Sequence, residues 1–212
     1  MLCDAVSEVR QSFNVESLEH GSKGVHSLLQ NDLGVQLPLH VSLSRPMALK
    51  TEQKDSFFPQ LRSAIAATGV RAFAVKPLDL IWHANEDRTR WFLVLRLRRP
   101  ANDELRKLLN SCNDIALVFG QPLLYDAQKP EPKKCGDGQD EPAHDSFHIS
   151  IAWCLHPIGA DEHRKEGRLL QSLRQIVLER LQKLDIGFDE VKVRIGQDVN
   201  SHTLPRPRKA RA

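Results

Sequence analysis

Leu39-His40-Val41-Ser42-Leu43 and Phe147-His148-Ile149-Ser150-Ile151 are two copies of one short pattern. Each sets a histidine and a serine two residues apart among apolar neighbours. Successive side chains of an extended chain point to opposite faces, so His and Ser share one face while the apolar residues share the other. The two stretches are therefore expected to be matched half-sites on half-buried strands. Each supplies one imidazole, the only side chain that ordinarily titrates near neutral pH.

The bare His-x-Ser spacing is weak on its own. The chain holds nine histidines and fourteen serines, and His20-Gly21-Ser22 and His144-Asp145-Ser146 repeat the spacing. Neither has strand-like surroundings: the first lies among Glu19, Gly21 and Lys23, the second in a Pro-, Gly- and acid-rich stretch. Requiring three apolar partners as well lowers the chance expectation to about 0.04 per chain. Two such hits call for a physical reason.

Outward from the first copy, a strand over 37–44, residues 51–68 carry Phe57, Phe58, Leu61, Ile65 and Ala66 near helical spacing, and Gly69 ends that helix. Two runs rich in β-formers, 72–83 and 89–98, flank Asn85-Glu86-Asp87 and predict a hairpin stopped by Pro100. Residues 102–119 predict a helix through Leu105, Leu108, Leu109, Ile115 and Leu117, with room for a break near Asn113. The second copy predicts a strand over 147–154, followed by a helix over 161–184 and a strand over 186–195. Motif strand, helix, strand: the order occurs twice. It predicts an α+β fold of two lobes related by a pseudo-two-fold, with one H-x-S motif per lobe facing a central groove.

In this division residues 37–204 are a single two-lobed domain and residues 1–36 an N-terminal segment of weak periodicity. The stretch 127–145, rich in Pro, Gly and mixed charge, is expected to be a mobile loop without a catalytic role. Residues 205–212 form a basic tail suited to a nuclear address, to a phosphate-contacting arm, or to no role beyond solvation.

Composition narrows the class. A chain of 212 residues that is 41% hydrophobic can bury a core. Formal net charge is only +3, so any attraction for nucleic acid must come from local patches such as Arg96-Leu97-Arg98-Arg99. Cys3, Cys112, Cys135 and Cys154 have neither C-x-x-C nor Cys/His ligand spacing, which argues against a structural zinc site and a disulfide framework. No apolar run approaches the roughly 20 residues of a membrane span, and the first ten residues lack a secretory layout. A soluble, intracellular protein without a membrane partner is expected.

Two facing imidazoles can cleave a ribose phosphodiester without a metal or other cofactor. A neutral one removes the 2′-hydroxyl proton and a protonated one delivers a proton to the departing 5′-oxygen. His40 and His148 are the candidates for these roles. Ser42 and Ser150, on the same strand faces, can donate hydrogen bonds to the non-bridging oxygens, where negative charge grows. A serine nucleophile fits less well, because a relay needs one serine, one base and one acid, whereas this chain offers two equal parts. Tyr125, the only tyrosine, leaves an apolar segment at the start of the loop. Its ring is placed equally well to stack on a nucleobase or to pack beneath the loop.

At these residues the chain resembles a known family. Tandem apolar-His-apolar-Ser-apolar words are similar to those of the two-histidine phosphoesterase superfamily. The extended words Leu39 to Ser44, Ser146 to Cys154 and Asn85-Glu86-Asp87-Arg88-Thr89-Arg90 resemble the U6 small nuclear RNA phosphodiesterase family, over roughly residues 37–205. The resemblance implies a nuclear, monomeric, metal-independent 3′-to-5′ exoribonuclease that trims the oligouridine 3′ end of U6 RNA. The product implied is a terminal phosphate, either cyclic or opened. It also implies that Tyr125 stacks on the terminal base, although the family tyrosine lies only a few residues before the second motif. Family members carry an extra strand and a longer helix ahead of the first motif, so a shortened start or a missing edge of the first lobe is expected. A generic cyclic-phosphate phosphodiesterase on the same four residues and a catalytically silent RNA-binding module are the alternatives.

Overall fold

The second motif copy is a strand, and a sheet is assembled around it. The computed structural model describes residues 25–125, 147–155 and 179–206. In chain order the strands are β1 (Val25–Ser27), β2 (Phe73–Val75), β3 (Pro77–Ala84), β4 (Trp91–Leu97), β5 (His148–Cys154), β6 (Ile186–Phe188), β7 (Glu190–Ile195) and β8 (Asp198–Thr203). The helices are α1 (Lys54–Ala67), preceded by the 3₁₀ turn Thr51–Gln53, and α2 (Glu104–Val118). The expected α+β class is observed, with antiparallel pairing throughout the main sheet.

The chain forms two compact units. The first draws on Met1–Val41, Ala74–Arg98 and Phe147–Gly187, the second on Ser42–Phe73, Arg99–Ser146 and Phe188–Ala212. In the first, four strands pair in the order β1-β5-β4-β3. Leu80, Leu93, Leu95, Leu97, Ile149, Ile151, Ala152 and Cys154 are buried on the core side, and Val94, of the opposite parity on β4, is buried as well.

The register slips twice, between Pro77 and Asp79 on β3, where Pro77 faces Leu97 but Asp79 faces Arg96, and again between β4 and β5. Leu93 faces Ala152 but Val94 faces Ser150, so Ile151 is an extra residue on β5, a β-bulge. Ile151 and Ala152 are both buried, and the alternation resumes one residue out of phase, so Trp153 joins the face of His148 and Ser150.

The hairpin between β3 and β4 is closed by Asn85. Its Oδ1 accepts from the backbone N–H groups of Thr89 and Arg90 at 2.9 and 3.1 Å, and its Nδ2 donates to the Thr89 hydroxyl at 2.9 Å. An edge strand was not expected before the first motif, yet β1 pairs with the outer half of β5 from Val25↔Cys154 to Ser27↔Ala152. Three residues suffice for that pairing, too few for a period to show in sequence.

In the second unit α1 and α2 share a core with the β7–β8 hairpin. Phe57, Leu61, Ile65, Leu108, Cys112, Phe119, Val191 and Leu204 are buried together, and the Phe57 and Phe119 rings meet edge-on at 5.1 Å. Gly69 ends α1 at a φ of +66°, as its position in the sequence predicts. Helix α2 runs unbroken past Asn113, whose side chain is used elsewhere. The single strand expected over 186–195 is interrupted at Asp189, where the carbonyl accepts from the N–H of Leu204, and β8 was not foreseen. The sequence of β8, Asp-Val-Asn-Ser-His-Thr, alternates too little apolar character to announce a strand.

The two motifs are not divided one per unit: His40 and His148 both belong to the first unit, and the boundary falls after Val41. Strand pairing, not chain order, does the grouping, because β5 lies between β1 and β4. The expected loop 127–145, the tail beyond residue 206 and most of the expected helix over 161–184 lie outside the described residues. Among the described residues no helix is long and apolar enough to cross a membrane.

Candidate active site

Val41 and Ile149, the central residues of the two motif copies, form an antiparallel bridge. The first copy is otherwise irregular, so the expected strand over 37–44 reduces to this one contact. It sets the register. His40, one residue before the bridge, stands opposite Ser150, one residue after it, and opposed residues of an antiparallel pair project to the same face. Ile149 is buried at 5% exposure, whereas His40 is exposed and His148 and Ser150 are half-buried. The apolar residue between His and Ser thus anchors each copy while the polar pair is presented outward, as the period of two predicts. Ser42 is exposed and opens the second unit.

Strand pairing extends the polar face across the sheet. Arg96 on β4 lies opposite His148, and Asp79 on β3 lies opposite Arg96. Val94 and Ile81 continue the row from Ser150. Phe92 pairs with both Trp153 and His83, and His26 on β1 pairs with Trp153 from the other side. The rings of His26 and Trp153 stack at 4.2 Å with an interplanar angle of 16°, and the Arg90 guanidinium carbon lies 4.8 Å from the Trp153 ring centroid. Such cation–π contact holds a guanidinium at the surface without removing its charge.

The His83 and His148 rings lie 6.3 Å apart, tilted by 45°. His83, Arg96, Trp153 and His26 were not singled out for the site from sequence. Parity along β3 and β4 points to the first two, since Asp79, Ile81 and His83 alternate on one face and Phe92, Val94 and Arg96 on the other strand do the same. Trp153 could not be assigned that way, because the bulge reverses its parity.

Tyr125 belongs to the second unit and is half-buried. Its φ is +52°, a left-handed conformation uncommon for a residue with a side chain. The neighbouring Leu124 is clamped on both backbone groups by Asn113: Nδ2 donates to its carbonyl at 2.9 Å and its N–H donates to Oδ1 at 3.1 Å. Among the described residues no group of three or more His, Cys, Asp and Glu side chains is arranged to hold a metal ion.

An antiparallel sheet with imidazoles, a serine hydroxyl, a guanidinium and aromatic rings on one face defines an α+β protein with a polar, partly cationic surface on its main sheet. The chain belongs to the HVSL family, that of the U6 snRNA phosphodiesterases. The family model, described as HVSL, uncharacterised conserved protein, matches residues 1–203, and its four letters are those of His40-Val41-Ser42-Leu43. The chain is 30% identical over 204 residues to U6 snRNA phosphodiesterase 1 of Neurospora crassa, covering 87% of this chain and 52% of that protein. It is 27% identical over 166 residues to U6 snRNA phosphodiesterase 1 of Drosophila melanogaster, covering 78% and 55%. It therefore spans about half the length of the curated relatives it matches. The fold is similar to that of Kluyveromyces marxianus Usb1, with a TM-score of 0.57 at 21% identity over 96% of this chain and 92% of that one. A second structure of that protein, with uridine monophosphate, gives a TM-score of 0.55.

Proposed function

We propose that this protein is a metal-independent 3′-to-5′ RNA exonuclease that trims the oligouridine 3′ end of U6 snRNA. One imidazole of the pair His40 and His148 takes the proton from the 2′-hydroxyl as that oxygen attacks phosphorus. The bond to the 5′-oxygen breaks, and the other imidazole protonates that leaving oxygen. The RNA is left with a 2′,3′-cyclic phosphate, which water opens to a monophosphate if a second round of the same acid–base exchange follows. Ser42 and Ser150 donate to the non-bridging oxygens, and Tyr125 stacks on the terminal base. The protein acts as a monomer in the nucleus.

The observation that supports this reading is the Val41–Ile149 bridge, which joins the central residues of the two motif copies. The names of the two curated relatives support an RNA substrate, and the uridine monophosphate named with the Kluyveromyces structure is in keeping with it. The test is digestion of oligouridine RNA in EDTA beside a small cyclic nucleotide, with the new RNA ends weighed by mass spectrometry. Stepwise shortening with cyclic or opened phosphate ends is expected. Turnover of the small cyclic nucleotide alone would replace this reading with a generic phosphodiesterase. Binding of RNA that survives loss of either imidazole, with no cleavage at all, would replace it with a binding module.

A further inference from the structure

We infer that His83 is a third imidazole of the site, donating a hydrogen bond to a non-bridging oxygen of the same phosphate at which His148 works. This inference rests on the proposed reaction and adds to it the residue that grips the phosphate from β3.

The two rings lie 6.3 Å apart. Rings set side by side at this spacing, each with an N–H that bonds an acceptor at about 2.9 Å, can reach neighbouring oxygens of one phosphate. The face is right as well. His83 shares it with Arg96, His148 and Ser150 by register, and its side chain is exposed. Register sets His83 two strands from His148 and on a diagonal of the sheet. An imidazole N–H aimed where negative charge accumulates in the transition state is a catalytic group of the oxyanion-hole kind.

The experiment replaces one non-bridging oxygen of the scissile phosphate in oligouridine RNA by sulfur and assays the Rp and Sp forms separately. The protein as isolated should cleave one diastereomer markedly more slowly than the other. His83→Ala should slow the all-oxygen substrate by about 10- to 100-fold, mainly in kcat, and should erase that diastereomer's extra penalty. His83→Gln keeps a neutral N–H donor and should recover part of both effects. It is read in the same way if the alanine variant folds poorly. Sulfur penalties that are the same in His83→Ala as in the unaltered protein, for both diastereomers, overturn the inference while leaving the proposed reaction standing. No cleavage of the all-oxygen RNA by the unaltered protein, or cleavage untouched by His148→Ala, removes the reaction and this inference together.

Discussion

His148 and His40 are held in different ways. His148 begins a strand with partners on either side, whereas His40 depends on the single bridge beside it. Replacing either by alanine should lower RNA cleavage by about 10³-fold or more, with thermal unfolding little changed because His40 is exposed and His148 only half-buried. Ser150→Ala should cost about 10²-fold. Comparing single-turnover rates with melting curves tests these expectations, and a fall in rate that merely follows a fall in melting temperature would contradict them. Away from the site, burial pushes the Cys112 thiol up from an ordinary value of 9.0 to about 12. The folded chain therefore keeps a proton that the unfolded chain has lost. Stability is unaffected below pH 9 and declines from there to about pH 12 by about 1 kcal/mol per pH unit. Urea midpoints for the unaltered protein and Cys112→Ala, measured at pH 8, 9.5 and 11, should converge as pH rises.

At the scale of elements, short side-chain links hold the segments that carry the candidate residues. Asn85 ties the hairpin whose last loop residue, Arg90, reaches the Trp153 ring. Asn113 ties α2 to Leu124 and so fixes the left-handed turn at Tyr125. If Tyr125 stacks on the terminal base, Asn113→Ala should weaken oligouridine binding several-fold, approaching Tyr125→Ala, whose loss corresponds to about 1–3 kcal/mol. The double variant should bind no worse than Tyr125→Ala. A further loss in the double variant would separate the two residues. Both helices and the β3–β4 hairpin were legible in the sequence, because their apolar spacing and their Gly and Asn punctuation agree with the final packing. Asn113 misled because an asparagine mid-helix reads as weakness when only its local propensity is weighed. The bulge at Ile151 was not legible at all: it shows only when β4 is laid against β5.

For the molecule as a whole, the pairing of motif words was legible and their distribution was not. The apolar residues at Val41 and Ile149 announce two inward-facing anchors, of which Ile149 is buried and Val41 half-buried, but nothing in the order of the chain says that β5 joins a sheet with strands from the first half. Arg96 was legible as part of a basic patch, whereas His83 was hidden, and only strand pairing brings either to the side of the sheet that bears His148. A net charge of +3 gives little long-range pull, so RNA affinity should depend on a few contacts such as Arg90 and Arg96. Titration against salt should give a slope of about −2 on logarithmic axes, which corresponds to about three neutralised phosphates on a single strand. A slope near zero would exclude phosphate contacts as the source of affinity. One consequence of the bulge is optical. Of the three tryptophans, Trp82 and Trp91 have the parity of the core, and Trp153 alone is turned to the side of the sheet that bears His148. Indole emission is sensitive to what lies against the ring, so Trp153 is a built-in fluorescent reporter of whatever binds on that side of the sheet, and the proposed arrival of RNA there should be readable without a dye.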